Sequence, residues 1–129
     1  MQKLSILVVE DDPLARKVMA VQLKDHAVDF AENASSGRAL IESGRHALCF
    51  LDLQLGDGDN ASGMELIPLA AARGIYSVVM SGHDGEAVVE RAYELGCDDF
   101  YSKGNEASNV GSVIARYLNK KEGAKTDVF

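Results

Sequence analysis

The sequence predicts an α/β domain built on a doubly wound parallel sheet of five strands in the order 2-1-3-4-5. Three observations lead there. Short apolar runs alternate with stretches of helical period along the chain, the pattern of repeated strand–helix units. Three of the runs, LSILVV at 4–9, ALCFL at 47–51 and IYSVVM at 75–80, are continuously apolar, as strands covered on both faces are; the other two are more polar, as edges are. The chain has 129 residues, which fits one domain rather than two.

The elements follow in order. Leu4–Val9 reads as the first strand. Pro13 suits a first helical turn, and Leu14, Val18 and Val21 recur behind it at helical spacing. Val28–Ala31 is the second strand. Ser35 or Ser36 caps a helix through Ile41, and Gly44 stops it. Ala47–Leu51 is the third strand, ending on Asp52, and the glycine-rich acidic loop LQLGDGDNA follows. Ser62 and Glu65 form an S-x-x-E capping box that opens a helix toward Arg73. Pro68 inside that helix implies a kink or a start nearer Pro68, and Gly74 ends it. Ile75–Met80 is the fourth strand, Glu86–Leu95 a helix stopped by Gly96, and Asp98–Lys103 the fifth strand. Val110, Val113, Ile114, Tyr117 and Leu118 form the one-sided apolar stripe of a last helix. The domain is placed at residues 1–120, with 121–129 a flexible tail or linker stub.

Composition narrows the function. Twenty acids against 13 bases give a net charge of -7, which disfavours direct contact with nucleic-acid backbones or anionic lipid. No apolar run is long enough for a signal peptide or a membrane span, so the expectation is a cytoplasmic protein. Cys49 and Cys97 form no CxxC pair, and neither a disulfide scaffold nor a zinc site is supported. Cys49 is expected in the core, Cys97 partly exposed but not a thiolate. His26, His46 and His83 are expected to be solvated at helix or loop ends.

The polar residues at the strand ends carry the chemistry. In a doubly wound sheet the ligand crevice lies beyond the carboxyl ends of the strands, at the switch point between strands one and three. Glu10, Asp11 and Asp12 follow the first strand, Asp52 the third, Ser81 the fourth and Lys103 the fifth. Carboxylates ~4 Å apart repel by roughly 4 kcal/mol per pair at an effective dielectric near 20. A cation must offset that. Lys103 supplies one charge, and a hard divalent ion such as Mg2+, which takes a few carboxylates with carbonyl and water ligands, supplies the rest. Acids, a lysine and a hydroxyl around one carboxylate fit phosphoryl transfer, with the carboxylate as nucleophile and an acyl phosphate as product.

The motifs ILVVEDDPLAR, LCFLDLQL, VVMSGHD and GCDDFYSKG, with 29 residues from Asp52 to Ser81 and 22 from Ser81 to Lys103, resemble the receiver domain of a two-component response regulator, a flavodoxin-like (βα)5 fold. The similarity spans roughly residues 3–119. The resemblance implies that Asp52 is the phosphoacceptor, served by the phosphohistidine of a sensor histidine kinase or phosphotransfer protein. It implies Mg2+ held by Asp11, Asp52 and the Gln54 backbone carbonyl, with Glu10 acting through water. It makes Ser81 the switch hydroxyl, Lys103 the phosphate-binding lysine and Phe100 the switch aromatic. Phosphorylation would then change the face of the fourth helix, fifth strand and fifth helix, and with it the preference for a downstream output domain or protein target or for a homodimer. Such a domain catalyses only its own phosphorylation and dephosphorylation, either free-standing or as the N-terminal part of a transcription regulator.

Two departures from the family pattern stand out. Gly104 replaces the usual proline after the lysine, which predicts a trans peptide there or a looser loop before the last helix, since a cis bond before a non-proline residue costs about 2.5–4 kcal/mol. Leu55-Gly56-Asp57 replaces Leu-Pro-Asp, and about three extra residues precede Gly63, predicting a longer loop beside the site. The alternative function is a Mg2+-dependent phosphatase of haloacid-dehalogenase type. Such enzymes carry a second Asp two residues after the nucleophile, where this chain has Gln54. A flavin-binding flavodoxin would need a Ser/Thr-rich loop where this chain places three acids.

Overall fold

A computed structural model of the chain describes residues 3–53, 61–81, 86–102 and 110–126. The elements run β1 (Ser5–Val9), α1 (Pro13–Gln22), β2 (Ala27–Ala31), α2 (Ala34–Glu42), β3 (Leu48–Asp52), α3 (Ala61–Ala72), β4 (Tyr76–Ser81), α4 (Glu86–Glu94), β5 (Asp99–Ser102) and α5 (Val110–Thr126). The five strands form one sheet in the order β2-β1-β3-β4-β5, and every neighbouring pair is parallel, as the alternating pattern predicts. β3 is buried throughout and β1 nearly so, while β2 and β5 at the edges are only partly covered.

Alternation along the strands divides the core into two layers. Leu7, Val9, Cys49, Leu51 and Val79 face Ile41 of α2, Leu66 and Ile67 of α3 and Ala92 of α4. Ile6, Val8, Phe50, Val78 and Met80 face the other way, onto Met19 of α1, Leu23 just past it, and Val113 and Tyr117 of α5. Each fully buried aliphatic or Phe side chain contributes roughly 1.5–3 kcal/mol, so these layers supply most of what holds the sheet.

Helix starts show where local reading succeeds and fails. Asp12 caps α1 by accepting from the Leu14 amide at 3.2 Å, with Pro13 in the first turn. The cap of α2 is Asn33, not Ser35 or Ser36. Asn33 Oδ1 accepts from the Ser36 amide at 2.8 Å, and the Asn33 amide donates back to Ser36 Oγ at 3.4 Å. The reciprocal box needs its cap three residues before Ser36, which only Asn33 satisfies. Ser62 is likewise not a cap, because α3 already includes Ala61, and Pro68 lies inside the helix rather than at its start. Gly44 and Gly74, each at φ 70°, follow α2 and α3 in the left-handed conformation expected of them. α5 continues to Thr126, into the stretch read as a tail from residue 121.

The largest correction concerns α1. Leu14, Val18 and Val21 are 69%, 50% and 70% exposed. The helix packs instead through Met19, with Ala15 and Arg16 half-buried. A two-faced helix has more than one apolar repeat, and docking on the sheet selects the face. His46 is also not solvated: it is buried, and its Nε2 lies 2.7 Å from Asp29 Oδ2 on edge strand β2, a partner that lets the imidazole leave water. The half-buried His26 takes the Leu4 amide on Nδ1 at 3.1 Å. His83 lies outside the described residues. No described helix is long and apolar enough to cross a membrane.

Candidate functional site

The register brings the strand ends to one rim. Val9 pairs with Ala31 on one side and Leu51 on the other, Asp52 pairs with Met80, and Ser81 pairs with Ser102. The chain therefore leaves β1 at Glu10, ends β3 on Asp52 and ends β5 on Ser102 on the same side of the sheet. Asp52 is the last residue of its strand, rather than the first after it, and is buried.

Three predicted site residues meet here. Ligand oxygens of Glu10, Asp11 and Asp52 all lie within 4.8 Å of one another, with Glu10 and Asp52 buried and Asp11 partly exposed. At that spacing each pair of charged carboxylates repels by roughly 3 kcal/mol at an effective dielectric near 20. Hard oxygen donors gathered at the carboxyl ends of β1 and β3 suit a small divalent cation. Ser81 ends β4 at the same rim, and only its backbone position is described. Gln54, Lys103, Gly104 and the loop between Leu53 and Ala61 lie outside the described residues. Phe100 sits in β5, half-buried against the layer that contains Cys97 and Ala92.

The loop that carries the acids is tied from several directions. The Glu10 amide donates to the Ala31 carbonyl at 3.0 Å, and the Asp12 amide donates to Glu10 Oε2 at 3.4 Å. Arg16, one turn into α1, donates from Nη1 to the carbonyl oxygens of Glu10 at 2.9 Å and Asp11 at 3.0 Å. Gly63 of α3 supports the other half of the site, since a Cβ there would stand 2.6 Å from the Asp52 carbonyl oxygen and 2.7 Å from Leu53 Cα. Neither residue was singled out for a role in the site from the sequence. The signal for Arg16 was present, as a long cationic side chain one helical turn past the Asp12 cap can reach back over the loop.

The cysteines play no part. Cys49 is fully buried, and burial, with Asp98 adding to it, pushes its thiol far above the ordinary value. Cys97 is buried rather than partly exposed, and desolvation followed by the charge of Asp98 raises its thiol to about 11. Both are protonated at neutral pH, as expected.

Known proteins resemble this chain in sequence and fold. The chain is 31% identical over 116 residues to the acid tolerance regulatory protein ActR of Sinorhizobium medicae (strain WSM419), covering 85% of this chain and 57% of that protein. It is 28% identical over 114 residues to the photosynthetic apparatus regulatory protein RegA of Rhodobacter capsulatus, covering 85% of this chain and 60% of that one. The chain thus spans less than two thirds of these relatives. A response regulator protein from Burkholderia pseudomallei, solved with a phosphorylated aspartic acid, calcium ion and citrate, superposes with a TM-score of 0.75 at 23% identity, over 98% of this chain and 76% of that one. The match to the model of the response regulator receiver domain runs over residues 6–115, and with the sheet order and the acidic rim already in place, this chain belongs to the receiver domain family.

Proposed function

We propose that this domain is a phosphorylation-controlled switch in which Asp52 accepts a phosphoryl group from the phosphohistidine of a sensor histidine kinase or phosphotransfer protein. The observation that carries the reading is Asp52, buried at the end of β3, with carboxylates of Glu10 and Asp11 within 4.8 Å. An Asp52 oxygen attacks phosphorus, the phosphorus–nitrogen bond to the donor imidazole breaks, and an acyl phosphate forms. Asp11, Asp52 and the Gln54 carbonyl would hold Mg2+, with Glu10 acting through water. When bound, the ion neutralises charge on the phosphoryl oxygens. Lys103 and Ser81 are assigned to the same oxygens, and Phe100 to the switch that alters the α4–β5–α5 face.

The output is a change in partner preference on that face, toward an output domain, a protein target or a second copy, in a cytoplasmic two-component pathway. The receiver unit is residues 1–120. The exposed stripe Leu14, Val18 and Val21 starts two residues past Asp12 and offers an apolar contact beside the site for the phosphodonor. The haloacid-dehalogenase alternative is not favoured: family membership speaks against it, and Gln54 cannot protonate a leaving group.

Intact-mass spectrometry after incubation with acetyl phosphate and Mg2+ tests the reading. A single labile phosphoryl adduct is expected, absent from Asp52→Asn. Lys103→Ala should remain phosphorylatable while losing the partner-face response. An adduct that persists in Asp52→Asn, or sustained turnover of a generic phosphate ester, would overturn it.

A further inference from the structure

We propose that Arg16 is a positioning residue that preorganises the acidic loop and makes the site selective for Mg2+ over Ca2+; this rests on the divalent-cation reading of Glu10, Asp11 and Asp52. The Glu10 carbonyl belongs to the peptide before Asp11 and the Asp11 carbonyl to the peptide after it. One guanidinium nitrogen bonds both, at 2.9 and 3.0 Å. With both flanking peptide planes held, the backbone dihedrals of Asp11 are set, and so is the direction in which its carboxylate leaves the chain. The Arg16 side chain is only 20% exposed, and its second nitrogen lies 3.8 Å from Glu32 Oε1 beyond β2. Glu32 itself is 74% exposed, so this pair adds only a weak tether past the end of β2.

The need for it follows from charge. Three carboxylates drawn within 4.8 Å repel one another. A loop free to yield would open, and the next cation would have to close it again. A guanidinium bonded to the Glu10 and Asp11 carbonyls holds that side of the cluster in place and adds positive charge beside it. Groups that orient metal ligands typically change metal affinity about 10–100-fold when removed. The two ions respond differently to a loosened site. Mg2+ demands near-octahedral geometry with short bonds, whereas Ca2+ accepts more ligands at longer and more variable distances. Loss of Arg16 therefore weakens Mg2+ binding more than Ca2+ binding.

Titration calorimetry of the full chain with MgCl2 and separately with CaCl2 tests this, for wild type, Arg16→Met and Arg16→Lys, with thermal midpoints in EDTA measured in parallel. Arg16→Met is expected to raise the Mg2+ Kd ~10-fold or more and the Ca2+ Kd severalfold less, lowering the Mg2+/Ca2+ preference. Arg16→Lys keeps the charge on a shorter reach and should fall between the two. It also carries the test should Arg16→Met fail to fold. A lower thermal midpoint with unchanged ion preference would make Arg16 merely structural, and tighter Mg2+ binding would make it a repulsive charge; either result overturns the proposal. Wild type that binds neither ion would sink the metal reading itself, whereas normal wild-type binding with unchanged variants sinks only the role of Arg16.

Discussion

Gly63 sits against the backbone of Asp52 so closely that a methyl group in place of its hydrogen would stand 2.6 Å from the Asp52 carbonyl oxygen. The neighbours are main-chain atoms of β3, which cannot swing aside as a side-chain tip would. Gly63→Ala must therefore displace either α3 or the strand end that carries Asp52. The expected cost is about 1–3 kcal/mol of stability, as for other overpacked positions. Phosphorylation by acetyl phosphate should fall more steeply than stability does. Urea titration and initial phosphorylation rates below the unfolding midpoint measure both, and unchanged values for each would show that the two backbones separate freely.

Gathering three carboxylates within 4.8 Å has a cost in mutual repulsion. Asp52→Asn removes one charge from three that lie within 4.8 Å. In EDTA the variant should be more stable than wild type by roughly 1 kcal/mol or more, a rise of about 4 °C in thermal midpoint for a domain of this size. The Mg2+-induced rise seen in wild type should shrink or vanish. A midpoint below that of wild type in EDTA would mean that hydrogen bonding by the Asp52 carboxylate outweighs the repulsion.

Exposed apolar residues on α1 separate binding from folding. Leu14, Val18 and Val21 stand 69%, 50% and 70% exposed, so a triple change to Ser should move stability by no more than about 0.5 kcal/mol per site. Phosphorylation by acetyl phosphate should be preserved. Transfer from a phosphohistidine protein should slow at least ~10-fold if the stripe docks the donor, since losing buried aliphatic contacts at an interface costs on the order of 1–2 kcal/mol. Equal slowing with both donors would place the defect in the site and not in docking.

Cys49, Cys97 and Tyr76 impose an alkaline limit, the Cys49 thiol being raised furthest by its complete burial. Burial, then Asp98, raises the Cys97 thiol from 9.0 to about 11, and burial, then Asp99, raises the Tyr76 hydroxyl from 10.0 to about 12. In both cases the folded state holds the proton more tightly than the unfolded chain. The stability they contribute is whole below the unfolded values and is lost as pH rises through the folded ones. Urea midpoints should decline from about pH 9 upward, less steeply in Cys97→Ser. In the folded protein both thiols should resist iodoacetamide at pH 8 and react once urea unfolds the chain. Rapid labelling of folded protein would show that Cys97 is accessible.

Much of the architecture was readable because it is local or combinatorial. Continuous apolar runs announced β1, β3 and β4 as central strands, because only a strand covered on both faces tolerates such a run. Acids, a hydroxyl and a lysine placed just past successive strands announced a shared rim, because a parallel sheet carries all its carboxyl ends on one side. The convergence of Glu10, Asp11 and Asp52 follows from that alone. Other features depend on how rigid pieces dock over long separations. Periodicity marked Leu14, Val18 and Val21 as one face of a helix but could not say that this face would be left in water, because Met19 competes for the core from the other side. Asn33 and Ser36 are both good capping residues, and the register of α2 on the sheet chose between their roles. His46 is buried with its Nε2 2.7 Å from Asp29, 17 residues away on edge strand β2. Gly63 under Asp52 owes its part to the approach of α3 to β3, a distance between main chains that no side-chain pattern encodes, whereas Arg16 bonds carbonyls only five and six residues before it.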